Sequence, residues 1–346
     1  MLRNFYKNVG VDLGTANTLL YLSGQGIVIN EPTMVAVNQR TNQILNIGAE
    51  SKKMLDRTPE HIKLIKPLIH GVVSDFEMTE EILKYFLRKA GKGGFFSRFN
   101  AAAISVPTNL TEVERKSVED AVVSAGAGRV FLVEAPLAAA IGARLPIEEP
   151  TSNMIIDMGG GTTEISIISV GGTVKSKSLK IAGEKFNEEI IKGIKDEFGV
   201  LIGEPTAEEI KVNIGSAIPL QEKLEITIRG RNVSTGLPKE ITLRDTQVRA
   251  MLQKSLKGIT EAIKTLIEES PPELVGDILK RGIYLTGGTS KLRGLDKYIA
   301  SEITVATAVV EDPLTCTVRG LGIIIEDMPT YKNILLNQQQ PRVVNI

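Results

Sequence analysis

The chain has 346 residues, of which 42% are hydrophobic and 24% charged, as in a soluble globular protein with room for two domains. Lysine plus arginine and aspartate plus glutamate both number 41, so no net charge favours nucleic acid as a partner. The single cysteine, Cys316, excludes an internal disulfide, and two histidines leave little material for a histidine metal site. No apolar run reaches the roughly 18 residues of a membrane-spanning helix and no signal peptide is evident, so we expect a cytoplasmic protein.

Two segments share one pattern, in which an apolar strand ends in an aspartate, a short turn of glycine and threonine follows, and a second apolar strand begins. The first runs from Val9 to Leu22 and the second from Ile155 to Val170. Glycines in such a turn let backbone N–H groups approach an anion closely, and the threonine hydroxyls add hydrogen bonds. Asp157 is suited to holding a metal ion through water beside a bound phosphate. We therefore predict that the two hairpins face each other and clamp a polyphosphate from both sides.

The segment between the hairpins is predicted to complete a first domain with a small insertion. Its elements, in chain order, are a turn-rich insertion with short strands and a helix (38–72), a helix (78–90), a strand (101–106), a helix opened by a capping box (111–125), a strand (130–133) and a helix of small residues (134–142). The small residues of the last helix suit a hinge at which two domains approach closely. Residues 146–152 are then predicted to cross into a second domain.

Two adjacent phenylalanines, Phe95 and Phe96, lie in a glycine-rich loop flanked by Lys92 and Arg98. No periodicity buries them there, and aromatic rings beside cations suit contact with a membrane interface. Packing of both rings onto a neighbouring helix is the alternative, and the loop sequence does not decide between the two.

The region after the second hairpin is predicted to repeat this organisation. Its elements are a helix (186–198), a helix opened by a second capping box (Thr206–Glu209), alternating strands of a second insertion (214–243), a long helix (248–266), a strand with a glycine turn (282–290) and a last helix after Gly322. Glu208 and Lys211 share one helical face, where a solvated ion pair is the simplest interpretation. Gly287 and Gly288 suit either a plain tight turn or close backbone approach to a flat group such as adenine or ribose.

The order of these segments resembles the actin/Hsp70/sugar-kinase ATPase superfamily and, within it, the MreB family of rod-shape-determining bacterial actins. The matching stretches, spread over essentially the whole chain, are Val11–Thr18, Gly71–Phe76, Ala138–Gly142, Asp157–Glu164, Ala207–Lys211, Ile214–Ala217 and Asp312–Cys316. The resemblance implies an actin-like α/β fold of two related domains, each with an inserted small subdomain, around a nucleotide cleft. The implied limits are 1–149 for domain I (insertion at about 32–72), 150–336 for domain II (insertion at about 187–245) and 337–346 for a disordered polar tail.

The resemblance also implies roles for individual residues toward ATP and Mg²⁺. Asp12 and Asp157 hold the Mg²⁺ through water, and Asp157 and Thr162 count as catalytic. The phosphates are held by Gly14, Thr15, Ala16, Asn17, Gly159, Gly160, Gly161 and Thr162. The nucleoside is held by Glu208, Glu209, Lys211, Gly287, Gly288, Thr289 and Ser290. Phe95 and Phe96 match an apolar membrane-insertion loop, which favours the membrane interpretation.

Two departures from the family pattern affect the expected chemistry. The family usually has Glu-Glu-Pro at the start of the hinge helix, and the second glutamate positions the attacking water, but this chain has Ala135 there and Glu134 one place earlier. A methyl group cannot orient water, and losing such a contact costs roughly 10²–10⁴-fold in rate. We therefore expect intact nucleotide binding with slow ATP hydrolysis, unless a local shift lets Glu134 serve. The usual Gly-Gly-Gly-Ala turn is Gly287-Gly-Thr-Ser290 here, which leaves the preference for ATP over GTP open.

The implied function is an ATP-dependent cytoskeletal filament. Such a protein polymerises with itself into paired protofilaments on the inner face of the cytoplasmic membrane, and it organises cell-wall synthesis and cell shape together with membrane-bound proteins. A soluble small-molecule kinase or another ATPase on the same fold is the alternative, although no carboxylate base facing a substrate pocket is evident. An Hsp70-type chaperone and an FtsA-type division actin are disfavoured, because neither a peptide-binding domain nor an amphipathic anchor is recognisable after residue 330.

Overall fold

The computed structural model describes residues 7–91 and 99–336, so Phe95, Phe96 and the predicted tail 337–346 lie outside the described residues. The strands are β1 (Asn8–Leu13), β2 (Asn17–Leu22), β3 (Gly26–Pro32), β4 (Val35–Asn38), β5 (Gln43–Ile47), β6 (Ile62–Ile65), β7 (Leu68–Ile69), β8 (Val72–Val73), β9 (Phe99–Val106), β10 (Ala127–Glu134), β11 (Asn153–Met158), β12 (Thr163–Ser169), β13 (Gly172–Leu179), β14 (Val200–Leu201), β15 (Glu225–Asn232), β16 (Pro238–Arg244), β17 (Ile283–Thr286) and β18 (Thr307–Val309). The helices are α1 (Ala49–Lys52), α2 (Phe76–Ala90), α3 (Glu112–Ser124), α4 (Ala135–Gly142), α5 (Gly183–Phe198), α6 (Glu204–Ile214), α7 (Asp245–Glu268), α8 (Pro272–Arg281), α9 (Leu295–Ile303) and α10 (Cys316–Glu326). Within the described ranges, no helix is both long and apolar enough to span a membrane.

Two five-stranded sheets repeat the same strand order. The first is β3-β2-β1-β9-β10 and the second is β13-β12-β11-β17-β18. In each sheet three antiparallel strands are followed by two strands parallel to the first strand of the hairpin. The parallel strands are reached through intervening helices, as crossover connections require. The prediction of two related α/β halves is therefore confirmed.

Each half carries a three-stranded inserted sheet and a hydrophobic core of its own. The inserted sheets are β5-β4-β6 in the first half and β14-β15-β16 in the second. Phe86 of α2 and Phe186 of α5 are the largest fully buried side chains of their respective cores. Burying a side chain of this kind contributes about 1.5–3 kcal/mol. The residue limits of the domains and insertions stay predictions.

The two predicted capping boxes have different outcomes. At the start of α3, the Thr111 hydroxyl accepts a hydrogen bond from the Glu114 N–H at 3.2 Å, and the Glu114 carboxylate accepts one from the Thr111 N–H at 2.8 Å. This box is confirmed. The second box is wrong, because α6 begins earlier, at Glu204, and Thr206 lies inside its first turn. Pro205 explains the early start, since its fixed φ is already helical and its missing N–H costs nothing at a helix N-terminus.

Two helices connect the halves. Helix α4 leads from β10 toward the second sheet, and α10 returns from β18 to pack on β1, β2 and β9 of the first sheet. The buried small side chains of α4 and the buried Leu321 and Ile324 of α10 belong to a third core, between the two sheets. Helix α10 thus lies beyond the predicted boundary at residue 149 and yet packs against the first half.

Helices α4 and α10 cross at a pair of glycines. A Cβ on Gly142 would lie 1.9 Å from the Cys316 carbonyl oxygen, and a Cβ on Gly320 would lie 1.8 Å from the Ala138 carbonyl oxygen. Both obstructing atoms belong to the backbone and cannot swing aside as a side chain does. Only glycine therefore allows this close approach.

The turn between β12 and β13 contains a strained residue. Val170 has a φ of 51°, and it is 71% exposed, so the cost of a β-branched residue in this conformation is not offset by burial. We expect Val170→Asn to raise the free energy of unfolding by about 1 kcal/mol, measured by urea denaturation, because asparagine tolerates positive φ. Val174→Asn is the control, since Val174 is also exposed but its φ is not positive. An equal gain in both variants would contradict the strain explanation.

Candidate functional site

The two glycine hairpins face each other across a cleft. A cavity of about 1000 Å³ lies between them and is lined from both halves of the molecule. The predicted site residues in its lining are Asp12, Gly14, Thr15, Ala16, Asn17, Asp157, Gly159, Gly160, Gly161, Thr162, Glu208, Lys211, Gly287, Gly288 and Thr289. Ala135, the position at which the resemblance implies a water-positioning glutamate, lines the same cavity.

The two hairpin turns have the same internal geometry. The Gly14 N–H donates to the Asn17 carbonyl at 3.1 Å, and the Gly159 N–H donates to the Thr162 carbonyl at 2.9 Å. In both copies the hydrogen bond closes a turn across two residues between the strands. The structure thus repeats the duplication that the sequence pattern predicts.

The turns also contact each other at the base of the cleft. A Cβ on Gly160 would lie 2.5 Å from the Cβ of Ala16, so a larger residue would push the two turns apart. The neighbouring carbonyl of Gly161 lies 3.1 Å from Nδ1 of His70, which belongs to the first half. Glycine therefore leaves backbone rather than side chains at this end of the cavity, as an anion site requires.

Three carboxylates lie beside the glycine turns, of which Glu164 is buried and Asp12 and Asp157 are half-buried. Asp12 accepts a hydrogen bond from the Ser105 hydroxyl at 2.6 Å, and Asp157 accepts one from Thr317 at 3.5 Å. Burial raises the pKa of Asp12 and of Glu164. Burial, together with the charges of Asp12 and Glu164, raises the pKa of Asp157 to about 7. A cluster of like charges with these pKa values favours the binding of a cation.

These acids fit a hydrated cation bound together with phosphate. In the described part of the chain, no three His, Cys, Asp or Glu side chains converge closely enough to hold a metal ion by themselves. Asp12 and Asp157 nevertheless line one cavity beside the glycine turns. Mg²⁺ keeps several waters and binds through one or two carboxylates plus phosphate oxygens. The donor set at this end of the cleft therefore suits Mg²⁺ with a polyphosphate.

Another part of the cavity lining is built by α5, α6 and the turn after β17. The ammonium of Lys211 donates to the Glu208 carboxylate at 2.7 Å and to the Gly183 carbonyl at 2.9 Å. The Lys211 side chain is 12% exposed and that of Glu208 is 45% exposed, so the predicted ion pair is present but is open to solvent mainly on the glutamate side. Burial alone would raise the pKa of Glu208, but the charge of Lys211 lowers it, and the Asn187 amide donates to the same carboxylate at 2.8 Å. Glu208 is therefore held in its ionised form.

The glycine turn after β17 is fixed to the second hairpin. Gly287 has a φ of 81°, and a Cβ there would lie 2.3 Å from the Met158 carbonyl oxygen, so this position requires glycine. The Thr289 hydroxyl donates to the Gly159 carbonyl at 2.7 Å, and the Ser290 hydroxyl donates to the Gly287 carbonyl at 2.6 Å. The two residues that depart from the family pattern therefore use their hydroxyls to hold the turn in place.

Lys66 bridges the cleft. It follows β6 in the inserted sheet of the first half, and its ammonium donates to Glu184 at 2.9 Å and to Glu204 at 2.6 Å. These two acids lie in the first turns of α5 and α6, in the second half. Burial alone would lower the pKa of Lys66, but the two carboxylates outweigh burial and raise it. Since all three side chains are roughly one-third exposed, solvent partly screens the bridge.

Three predicted residues do not line the cavity. Glu134 precedes α4, and its carboxylate accepts a hydrogen bond from the Thr173 hydroxyl away from the cavity. It therefore does not replace the missing glutamate in this structure. Glu209 and Ser290 are also absent from the lining.

Several charged residues of the cleft are missing from the predicted site, and Lys66 and Glu164 are two of them. Lys66 gives no local signal, because its partners lie 118 and 138 residues further along the chain. Glu164 does give a signal, since it is an acid at the start of an apolar strand and directly follows the glycine and threonine turn. Strands of this kind rarely bury an acid without a functional reason.

A duplicated α/β fold with two glycine hairpins facing each other across a cleft defines the actin-like class of proteins. Within this class, the family model described as MreB/Mbl protein matches residues 6–333. The chain therefore belongs to the MreB/Mbl family, and the prediction from its motifs is confirmed.

Relatives and solved structures agree with this assignment. The chain is 44% identical to cell shape-determining protein Mbl of Bacillus subtilis, over 94% of this chain and 97% of that protein. It is 43% identical to cell shape-determining protein MreB of Escherichia coli, over 97% and 98%. Crystal structures of MreB5 of Spiroplasma citri bound to ADP and to AMPPNP superpose with TM-scores of 0.90 at 36% identity, covering 95% of this chain and 98% of MreB5. A MamK double helical filament shares the fold, with a TM-score of 0.79 at 21% identity, over 93% of this chain and 99% of MamK.

Proposed function

We propose that this chain binds Mg²⁺-ATP in its cleft and polymerises in response, forming membrane-associated filaments that organise cell-wall synthesis and determine cell shape. The observation that carries the proposal is the cleft itself, whose lining brings together two glycine turns, three acids and the Glu208–Lys211 pair. The MreB5 relative binds ADP and AMPPNP in its crystal structures, which supports the nucleotide. The Mbl and MreB relatives are named for determining cell shape, which supports the cellular role.

The proposal assigns the cleft residues as follows. The turns Gly14–Asn17 and Gly159–Thr162 hold the phosphates, and Asp12 and Asp157 hold Mg²⁺ through water. A Mg²⁺ ion held there would supply positive charge that offsets the negative charge of the phosphates. The nucleoside lies between the Glu208–Lys211 pair and the Gly287–Gly288 turn.

The proposed polymerisation is supported by a comparison of the size of one molecule with the size of a cell. A folded chain of this length has a radius of gyration of about 20 Å, so a single molecule cannot act over a cell's dimensions. A filament of many copies can, and nucleotide in a cleft between two halves is suited to controlling its assembly. In the cell, we place the filament at the inner face of the cytoplasmic membrane, in contact with membrane-bound cell-shape and cell-wall proteins.

High-speed sedimentation tests the proposal. The purified protein is spun with and without Mg²⁺-ATP, and liposomes are present in a parallel tube. We expect pelleting that depends on nucleotide and increases with lipid. A protein that binds ATP but stays in the supernatant at every concentration would contradict the filament and favour a soluble kinase on the same fold.

The membrane contact has a separate test in liposome flotation. We expect Phe95→Ser combined with Phe96→Ser to weaken flotation severalfold while nucleotide binding is unchanged, because the interfacial burial of two aromatic rings is lost. The control is Phe76→Ser, since Phe76 is another exposed phenylalanine, at the start of α2. Unchanged flotation of the double variant, or an equal loss in the control, would assign the two rings to another contact.

The Lys66 bridge predicts an effect on nucleotide release. Lys66→Met keeps the apolar stem but removes the charge that holds Glu184 and Glu204, so the cleft opens more readily. A partly exposed pair contributes up to about 1 kcal/mol, which corresponds to roughly fivefold faster release of a fluorescent nucleotide. Lys53→Met is the matched control, because Lys53 lines the same cavity but pairs with Glu50 of its own helical segment. Equal release rates in the two variants would exclude Lys66 as a closing contact.

A further inference from the structure

The cleft contains a buried acid that the proposed function leaves unused. Glu164 is 3% exposed, lines the cavity together with Ala135, and lies directly opposite Asp157 in the β11–β12 register. The inference drawn from it rests on the proposed function, because it concerns the hydrolysis of the bound ATP. The question is which group orients the attacking water when residue 135 is alanine.

The other acids in the cavity lining have partners or assigned roles. Glu184 and Glu204 pair with Lys66 at one rim. Glu208 pairs with Lys211 at the nucleoside end, and the proposed function assigns Asp12 and Asp157 to Mg²⁺. Glu164 is the remaining carboxylate in the described cavity lining, and no lysine or arginine of the described chain pairs with it.

Two hydroxyl groups hold the Glu164 carboxylate in a defined position. Thr108 donates to Oε2 at 3.0 Å, and Ser178 donates to Oε1 at 2.5 Å. Thr108 follows β9 in the first half, whereas Ser178 lies on β13 in the second, so the carboxylate is fixed from both sides of the cleft. The Thr108 backbone and the Thr162 side chain also hydrogen-bond this carboxyl and counter the rise in its pKa that burial causes.

We propose that Glu164 substitutes for the missing glutamate by accepting a hydrogen bond from the water that attacks the γ-phosphate of ATP. The water oxygen bonds to the γ-phosphorus while the bond from that phosphorus to the β–γ bridging oxygen breaks. One proton of the water remains on the phosphate product, the other passes to solvent, and the products are ADP and inorganic phosphate. Orientation by a carboxylate in a less favourable position predicts slow hydrolysis rather than none.

Glu164→Gln tests this role, because glutamine has the same shape but replaces one carboxylate oxygen with an N–H donor, and its remaining amide oxygen is an uncharged and weaker acceptor. We expect single-turnover phosphate release to fall at least tenfold while the Kd for ADP stays within twofold. Trapping of ADP with aluminium fluoride, which mimics the state with water in line, should weaken by a similar factor. In an Ala135→Glu background the same substitution should change release by less than threefold, since a glutamate at residue 135 then orients the water. Glu189→Gln is the control, because Glu189 also has a pKa raised by burial but does not line the cleft.

Several results would overturn the inference. These are unchanged release in Glu164→Gln, an equal loss in Glu189→Gln, an undiminished effect in the Ala135→Glu background, and a wild-type chain that binds ATP without releasing any phosphate. None of these results would contradict nucleotide binding or nucleotide-dependent sedimentation, on which the proposed function rests. Failure of the wild-type protein to bind ADP or ATP would instead overturn the proposed function itself.

Discussion

Ala135→Glu is expected to accelerate phosphate release from bound ATP by roughly 10²-fold or more, because it restores a carboxylate able to orient water. Ala135 is the first residue of α4 and lines the cleft, so the new side chain starts at the cavity wall. The positive end of the α4 dipole stabilises an ionised side chain in this position. A single-turnover assay of phosphate release measures the change directly, and nucleotide affinity is measured in parallel.

Ala135→Leu is the matched control for this prediction. It adds a side chain of similar bulk to the same wall but no oxygen that could accept a hydrogen bond from water, so we expect release to change by less than about threefold. An acceleration shared by both variants would mean that bulk at residue 135 matters rather than charge. Unchanged release in Ala135→Glu would contradict the explanation of slow hydrolysis altogether.

Gly320→Ala is expected to lower the free energy of unfolding by about 3 kcal/mol or more, the upper range for overpacked sites. The added methyl carbon would lie 1.8 Å from the Ala138 carbonyl oxygen and 3.0 Å from the Gly142 nitrogen, so α4 and α10 must separate. Alanine is the better helix former by about 1 kcal/mol, but this gain is smaller than the cost of moving two backbones apart. Urea denaturation, followed by circular dichroism, measures the difference.

Gly276→Ala provides the control in the same protein. Gly276 lies in α8, and a Cβ built there meets no heavy atom within 4 Å. We expect this variant to gain about 0.5–1 kcal/mol, because only the helix preference of alanine operates. If Gly320→Ala were also neutral or stabilising, the close crossing of α4 and α10 would not contribute to stability.

Local chemistry explains why much of the fold was predictable from the sequence. The paired hairpins follow from runs of apolar residues that stop at an aspartate and a glycine turn, and α3 follows from the capping box at Thr111. The start of α6 was mispredicted, because a proline in the first turn sets it and the capping pattern at Thr206 competes weakly. The correct predictions and this error all depend on residues that are close to one another in the sequence.

The contacts that complete the site lie between distant segments, and the sequence pattern does not report them. Three examples are the packing of α10 on the first sheet, the Lys66 bridge and the hydrogen bond from Thr108 to Glu164. Each joins parts of the chain that are far apart in the sequence, so local periodicity does not report it. The direction of Glu134 depends on the backbone at the start of α4, where a change of one position turns a side chain out of the cavity. For this reason the glycines of the site were predicted more completely than its charged residues.

The crossing of α4 and α10 has a mechanical consequence for the cleft. Helices α4 and α10 both connect the halves, and their backbones approach closely at Gly142 and Gly320, so we expect this crossing to be the pivot of a rotation that opens or closes the cleft. A rotation about it moves atoms in proportion to their distance from the pivot. A weak ion pair made away from the pivot, such as the Lys66 bridge, therefore has a long lever arm and can control closure. A substitution at the pivot itself changes little at the rim of the cleft, so its main expected effect is a lower free energy of unfolding.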